Sequence, residues 1–465
     1  MIQLGLQRIA KLTQNFPWYY APKAIHVAGT NGKGSVCNYI VAALNAAGIS
    51  RVAKFTSPHL LERRDSITIN NNPISQETFN QHHTNLETLN DADSIGATPF
   101  ELLTATALSI FTASSSQAAV LECGLGGLTD ATNIYPANRK PIAVITKVGL
   151  DHQDLLGTTL SAITQQKCGI FHPQTHVIFD PTNAAEVLRT IRHEARLKGA
   201  YINYPWHTKF EHQQPPHLTG DKLYAVPEEF HADVLVERLR KSRLGETPYQ
   251  VTNALIAFQA AYTFLYHRGK PFQPGTLVDA IVDTGAPAGR LQKVGLSALL
   301  GWHREMILDG AHNVQAVEAT LPALEGLVGV GTDGNRKPIS WIIALSEGKV
   351  VGEMLTPLIR AGDTVAAVEF GEVDGMPWKK ATPSKDIAEF MVGLQQAGMQ
   401  IEVQDFGKDV EQAVRWSAEQ SEVNPVFAIG SLYLVSDILR LLDTPQARLR
   451  YIPADQGAGW NKNFL

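Results

Sequence analysis

Ala28-Gly29-Thr30-Asn31-Gly32-Lys33-Gly34-Ser35 stands between a short β-branched run, Ile25 to Val27, and an apolar helical pattern of Val36, Ile40, Val41 and Leu44. A glycine-rich turn between a strand and a helix start lets successive backbone N–H groups close around a polyphosphate. The helix N-terminus adds partial positive charge, and Lys33 adds a full one. The segment therefore commits the chain to a strand–turn–helix unit and points to a bound nucleotide. The common phosphate loop has glycine at its first position and a hydroxyl directly after its lysine. Here no glycine stands first and Gly34 separates Lys33 from Ser35, which narrows the class.

The same alternation of strand and helix patterns runs through almost the whole chain, which predicts α/β architecture with largely parallel sheets. Strands are expected at Ala24–Ala28, Arg51–Phe55, Ala118–Glu122, Ile142–Thr146 and His176–Phe179. Helices are expected at Val36–Ala47, Phe100–Ala113, Thr159–Cys168, Ala184–Lys198, Tyr249–Tyr266 and Pro274–Val282. Asp65–Ile69 followed by Asn70-Asn71-Asn72-Pro73 predicts a small hairpin. Residues 204–244 are polar, Pro- and His-rich and weakly periodic, and read as a variable loop or hairpin.

A length of 465 residues favours two domains, because one core stops growing well below that size. Thr284-Gly285-Ala286-Pro287-Ala288-Gly289 is the strongest break. Beyond it a second alternation begins. Its strands are expected at Met306–Asp309, Ser340–Leu345, Thr364–Phe370, Ile401–Gln404 and Val426–Ile429. Its helices are expected at Gln315–Leu327, Gly352–Arg360, Asp386–Gly398, Val410–Gln420 and Leu432–Leu442. The expectation is a P-loop-type doubly wound domain over 1–288 and a smaller Rossmann-like α/β domain over 289–465.

A formal net charge of -5 argues against a polyanion-binding surface and hence against nucleic acid as partner. The three cysteines, Cys37, Cys123 and Cys168, are too few and scattered for a disulfide framework, which fits a reducing compartment. No run reaches the length of a membrane span. Leu4, Arg8, Ile9 and Lys11 form an amphipathic opening that would also suit mitochondrial targeting. With a strand expected from Ala24, it reads as part of the fold, and the cytoplasm is the expected location.

Open α/β sheets bind ligands at the carboxyl ends of their strands. Four constellations fall there in the first domain: the phosphate loop, Ser57-Pro58-His59-Leu60, Glu122-Cys123-Gly124-Leu125-Gly126-Gly127, and Gly149–Asp154 with Lys167 on the next helix. Magnesium beside a nucleotide prefers oxygen donors, which Glu122 and Ser57 offer; His152 is a less usual ligand. Singly, each residue has a plainer reading: Glu122 solvated, Ser57 in a turn, His152 capping a helix, Lys167 facing water. Their joint appearance beside glycines favours the functional one. In the second domain Arg290 is placed to reach phosphate, and Asp309 to accept from a ribose hydroxyl or orient an amine. On the residues alone, a salt bridge for Arg290 and a simple turn at Asp309-Gly310 are the plainer readings.

GTNGKGS (Gly29–Ser35), SPHL (Ser57–Leu60), LECGLGG and DATN (Leu121–Gly127, Asp130–Asn133), GLDHQDLLG (Gly149–Gly157), QKCGIF (Gln166–Phe171), GR (Gly289, Arg290), LDGAHN (Leu308–Asn313) and GSLY (Gly430–Tyr433) occur in one order across nearly the whole chain. In this the sequence resembles the folylpolyglutamate synthase and dihydrofolate synthase family, relatives of the Mur peptide ligases. The opening LGLQRI and the run from Lys54 to Asn70 look most like the monofunctional dihydrofolate synthases of fungi.

The resemblance implies an ATP- and magnesium-dependent ligase. A pteroate-type carboxylate would take the γ-phosphoryl group, and L-glutamate would displace phosphate from the acyl phosphate to give dihydrofolate. Addition of glutamate to tetrahydrofolate, or both activities, is the alternative. It further implies a monomer whose partners are ATP, 7,8-dihydropteroate and L-glutamate. Thr30, Asn31, Gly32, Lys33, Gly34 and Ser35 would hold ATP with Asn253, Arg290 and Asp309. Ser57, Glu122 and His152 would hold metal, and Lys167 would be carbamylated. Thr98, Phe100, Leu128, Thr129, Asp130 and Ala131 would lie on the pterin side, with His312 and Ser431 toward glutamate. Lys33, Lys167, His152 and Asp309 would carry the catalysis.

Three positions depart from the family pattern: Leu128 where arginine is frequent, Gln166 where glutamate precedes the lysine, and Glu347-Gly348-Lys349 in place of Asp-Lys-Asp. A Mur-type ligase of UDP-sugar carboxylates fits SPHL and TPFE (Thr98–Glu101) poorly. A non-catalytic nucleotide sensor leaves Lys167 and Glu122 without purpose.

Overall fold

Apart from Lys23 and His26, Lys23–Ala28 is Ala, Ile and Val, and every residue but Lys23 is buried, so this strand, β1, has neighbours on both faces. The structure is a computed structural model that describes residues 5–203, 232–269, 271–331, 334–420 and 424–442. The chain divides into two compact units, Met1–Pro287 and Ala288–Leu465.

In the first unit α1 (Gln7–Leu12) precedes β1, and α2 (Lys33–Ala46) follows it. Then come β2 (Val52–Phe55), β3 (Ile67–Ile69), β4 (Asn72–Pro73), α3 (Gln76–Ala92), α4 (Pro99–Ala113) and β5 (Ala118–Glu122). The unit continues through β6 (Ile142–Ile145), α5 (Gln153–Leu156), α6 (Leu160–Lys167), β7 (His176–Phe179), α7 (Ala185–Leu197) and β8 (Tyr201–Ile202). It ends with α8 (Ala232–Arg240), α9 (Pro248–His267) and α10 (Pro274–Thr284). Among the described residues the sheet order is β4-β3-β2-β5-β1-β6-β7-β8. Only the β2/β3 and β3/β4 pairings are antiparallel.

Alternate residues of the central strands serve opposite cores. Ile25, Val27, Val52, Val120 and Val144 pack with α2, α9 and α10. Ala53, Phe55, Ala119 and Leu121 pack with α4 on the other face. In α9, fifteen of the side chains are buried, as expected of a helix that is apolar nearly all round.

The second unit orders β9 (Gln292–Gly295), α11 (Ser297–Leu300), β10 (Glu305–Leu308), α12 (Val314–Val328), β11 (Ser340–Ile343), α13 (Val351–Leu355) and β12 (Thr364–Ala367). After these come α14 (Ser384–Gln396), β13 (Glu402–Asp405), α15 (Val410–Glu419), β14 (Val426–Ile429) and α16 (Leu432–Leu442). The sheet runs β13-β12-β11-β14-β10-β9, and β9 alone is antiparallel to its neighbour among the described strands. Both units are α/β, with mostly parallel sheets wound on two faces.

The strands stand where the alternation puts them, and the differences are local. The sequence reading assigned no helix to 76–92, yet α3 forms there. Only Phe79, His83 and Leu86 of its 17 residues are buried, so the apolar stripe is one residue wide, and Ser75 starts the helix by accepting from the Thr78 N–H. Residues 204–244 were expected to be loop or hairpin; α8 and a 3₁₀ turn at Arg243–Glu246 occupy their end, and 204–231 lie outside the described residues, as does Leu4. The sequence pattern also leaves β8, β9 and α11 unassigned. The helix expected at Gly352–Arg360 is a short one, Val351–Leu355. No helix among the described residues is long and apolar enough to cross a membrane.

Candidate active site

β1 lies between β5 and β6, and β5 lies between β1 and β2. Their four carboxyl ends are consequently neighbours, and each delivers one of the sequence constellations to the same edge. The loop after β1 is tied to the loop after β6. The N–H groups of Thr30 and Asn31 donate to Lys147 O at 2.8 and 3.1 Å, Thr146 Oγ1 donates to Asn31 O at 2.8 Å, and Gly149 N donates to Thr30 Oγ1 at 3.0 Å.

Gly32 turns the chain into α2 at φ +88°, and a Cβ there would collide with the Asn253 amide of α9. Glycine is thus demanded twice at this position, by torsion and by contact. Helix α2 starts at Lys33, so the N–H groups of its first turn are available to an anion. Lys33 Nζ lies 3.1 Å from Thr30 O and 3.9 Å from Glu122 Oε1. Ser35 is buried, and its Oγ accepts from Gln250 Nε2 at 3.3 Å; Gln250 Oε1 accepts from Tyr39 and from Asn253. Asn253 therefore joins the phosphate loop through a chain of amides.

Glu122 ends β5 and is 4% exposed. Its Oε2 lies 3.4 Å from the Ser57 N–H at the end of β2, which sets the Ser57 and Glu122 segments side by side. His152 follows β6, is exposed, and caps α5 from a left-handed backbone at φ +50°. Among the described residues no group of three or more His, Cys, Asp or Glu side chains surrounds a common point. Glu122 and Ser57 thus bring oxygen-bearing side chains next to each other, the donor type that hard divalent cations take.

Lys167 ends α6 and is 4% exposed, with Nζ 2.8 Å from Gly29 O. Burial, with Lys33 nearby as the next cause, lowers its pKa to about 7. A Cβ at Gly127 would lie 2.6 Å from Lys167 O, so only glycine lets the Gly124–Ala131 loop lie against the end of α6. Leu128 N donates to Gln166 O at 2.8 Å, while the Leu128 side chain is exposed and Thr129 half-buried. Asp130 and Ala131 are buried; the Asp130 carboxylate accepts from the N–H groups of Leu125 and Thr132 at 2.8 and 3.0 Å and from the Thr132 hydroxyl. Thr98 caps α4 in a reciprocal pair with Glu101, which also takes Arg8 at 2.8 Å. Phe100, half-buried, lies over Gly124 and 6.1 Å from the Phe55 ring.

In the second unit, β10 and β14 run parallel side by side, so Asp309 and Ser431, which follow them, share one edge. Asp309 is 2% exposed; Oδ2 accepts from Leu291 N at 2.9 Å and Oδ1 from Ala311 N at 2.8 Å. Burial raises its pKa, while Arg290 and the two N–H groups oppose the rise. Arg290 Nη1 donates to Gly289 O at 3.0 Å, His312 Nδ1 lies 2.9 Å from Gly310 O, and buried Ser431 accepts from Tyr433 N at 3.1 Å. Lys349 is half-buried in the turn after β11.

Two sequence profiles match: "Mur ligase middle domain" over residues 27–261 and "Dihydrofolate synthetase, C-terminal domain" over 292–441. The dihydrofolate synthetase of Saccharomyces cerevisiae is 31% identical over 445 residues, spanning 95% of this chain and 98% of the yeast protein. The chain belongs to the dihydrofolate synthetase family. A probable dihydrofolate synthetase of Schizosaccharomyces pombe is 30% identical over 453 residues, covering 95% of this chain and 99% of that protein. Among solved structures, the Yersinia pestis bifunctional folylpolyglutamate synthase/dihydrofolate synthase complexed with AMPPNP and Mn ion superposes with TM-score 0.70. That structure has 24% identity over 95% of this chain and 94% of that one, a likeness of fold.

Within this family member, three side chains escaped the sequence reading. Gln250 is fully buried between Ser35, Tyr39 and Asn253. Lys54 is buried in β2, bonds Asn71 Oδ1 at 2.8 Å and the Asn38 amide, and has its pKa lowered to about 8 by burial. His26 is buried inside β1. A lone polar residue within an apolar strand was the available signal for the last two.

Proposed function

We propose that this protein joins L-glutamate to 7,8-dihydropteroate at the expense of ATP, forming dihydrofolate through an acyl phosphate. The observation that carries the reading is the convergence of the Gly29–Ser35 loop, Glu122, Ser57 and Lys167 at neighbouring strand ends of one sheet. Family membership over nearly the whole chain supports it.

A carboxylate is a poor electrophile, and phosphorylation gives its oxygen a good leaving group. The α2 N-terminus and Lys33 hold the triphosphate and offset the charge that develops as the γ-phosphoryl group moves to the carboxylate oxygen. Asn253 positions the phosphate loop, while Arg290 and Asp309 contribute nucleotide contacts. Ser57 and Glu122, with His152, would hold a divalent metal; bound there, magnesium supplies charge neutralisation and orients the phosphates. Thr98, Phe100 and the Leu128–Ala131 segment face the acceptor, with Asp130 acting by holding backbone. His312 and Ser431 receive glutamate, whose α-amine attacks the acyl carbon and expels phosphate.

Lys167 has the character that carbamylation requires. A neutral amine attacks carbon dioxide, one proton leaves, and the cation becomes a carboxylate-like anion. A pKa of about 7 makes the neutral amine abundant at physiological pH.

The test is product analysis after incubation with ATP, magnesium, glutamate and dihydropteroate. The expected result is ADP, phosphate and an acceptor heavier by one glutamyl unit. Turnover with tetrahydrofolate but not with dihydropteroate would replace this reading with folylpolyglutamate synthesis.

A further inference from the structure

We propose that His26 is a positioning residue for the acceptor: its Nε2–H, through Thr132 and Asp130, fixes the Gly124–Ala131 loop relative to the phosphate-loop strand. The inference rests on the reading that this loop holds the pteroate-type acceptor.

The proton positions follow from counting donors. The Asp130 carboxylate only accepts, and the Thr132 hydroxyl owns a single proton. That proton goes to Asp130 rather than to the Cys123 sulfur, which is 3.6 Å away and a much weaker acceptor. Thr132 Oγ1 must then accept from the imidazole nitrogen 2.8 Å away, so His26 carries its proton on Nε2. The same N–H faces the Cys123 thiol at 3.2 Å. Nδ1 is left as a bare acceptor, buried and without a partner among the described residues. An orphaned acceptor is the cheaper of the two possible orphans, which agrees with the assignment. Burial, reinforced by Lys140 and His172, pushes the imidazole pKa well down, so the ring stays neutral.

Three segments meet at this ring. His26 lies in β1, three residues before Gly29. Cys123 directly follows Glu122. Asp130 closes the loop on itself by accepting from both Leu125 N and Thr132 N. A neutral donor at Nε2 therefore sets how far the acceptor loop stands from the loop that holds phosphate. Loss of that donor would slacken the acceptor side while leaving the Thr30–Ser35 loop in place, its Thr30 and Asn31 N–H groups held by Lys147 O and its Ser35 hydroxyl by Gln250.

The experiment compares His26→Leu and Thr132→Val, which remove the link, with His26→Gln and Thr132→Ser, which keep an N–H and a hydroxyl at the same reach. For each, the KM for dihydropteroate is measured beside the Kd for a non-hydrolysable ATP analogue. The two disrupting variants are expected to raise the acceptor KM by about tenfold or more, the scale of a lost buried hydrogen bond, with the nucleotide Kd within about twofold. The two conservative variants should stay within about threefold of wild type for both. Thr132→Val is nearly isosteric and carries the test if His26→Leu does not fold. An unchanged acceptor KM in the disrupting variants overturns the proposal. So does a parallel loss of nucleotide affinity, which would mark His26 as a general support of the fold. If the wild-type enzyme uses only tetrahydrofolate, the choice of acceptor falls, and the same ratios measured with that acceptor still judge His26.

Discussion

At the carboxyl edge of the eight-stranded sheet the buried ionisable groups include Lys167 and Glu122; at the same edge of the six-stranded sheet the buried group is Asp309. The first edge gathers Lys33, Lys167, an acid and a helix N-terminus around one loop. The second spends its carboxylate on two backbone N–H groups, Leu291 and Ala311, and so fixes the backbone from which Arg290 and His312 project. The contrast teaches that one α/β edge supplies charge to a reaction and the other supplies shape to a ligand. Substitutions of the charged groups at the first edge should strike the rate, and substitution of Asp309 at the second should strike nucleotide binding.

Lys33→Ala should break the first edge most severely. With the lysine beside Glu122 and the helix start gone, kcat is expected to fall by about a thousandfold, with an unchanged circular dichroism spectrum. Activity within a few-fold of wild type would remove the phosphate-loop assignment.

Lys167→Ala should lower kcat by about a hundredfold, and small carboxylates added to the assay should restore part of it. Full activity without rescue would make Lys167 a packing residue. Asp309→Asn in the second unit is expected to raise the KM for ATP by about tenfold with little change in kcat, because the amide keeps one acceptor oxygen, which weakens one charge-assisted hydrogen bond of the turn, and sets its NH2 against the other backbone N–H. A fall in kcat at constant KM would contradict the division between the two edges.

The smallest effect concerns stability. Lys140 is 1% exposed, with Nζ 2.7 Å from Asn133 Oδ1, and burial lowers its pKa from 10.5 to about 7. Between those two values the unfolded chain binds a proton that the native chain lacks, so stability rises with pH across the window and is lost as pH falls toward 7. The slope reaches about 1.4 kcal/mol per pH unit for one such group. Urea unfolding from pH 7 to 9 should show Lys140→Met with a shallower rise than wild type; equal slopes would contradict the burial of a neutral lysine.

The phosphate loop was legible in the sequence because the turn itself demands glycine: Gly32 has a torsion and a neighbour that leave no alternative. Strands were legible where both faces are buried, since such runs are apolar throughout. Lys167 could be singled out by its motif, but its burial could not. That depends on Gly127, forty residues away, letting one loop lie against the end of α6. Helix α3 is faint in the sequence because three buried side chains in 17 make too thin a stripe, and α8 because its buried Leu235 and Leu239 stand among charged residues at the end of a polar stretch. His26 and Lys54 look like flaws in strand patterns until their partners, distant in sequence, are known.

The path of one oxygen atom decides whether the carboxylate is phosphorylated. Dihydropteroate labelled with heavy oxygen in its carboxylate should, during a single turnover with ATP and glutamate, deliver one labelled oxygen to the released phosphate and keep the other in the new amide. Phosphate free of label, with dihydrofolate formed at the normal rate, would contradict the acyl phosphate and the roles assigned to the residues around it.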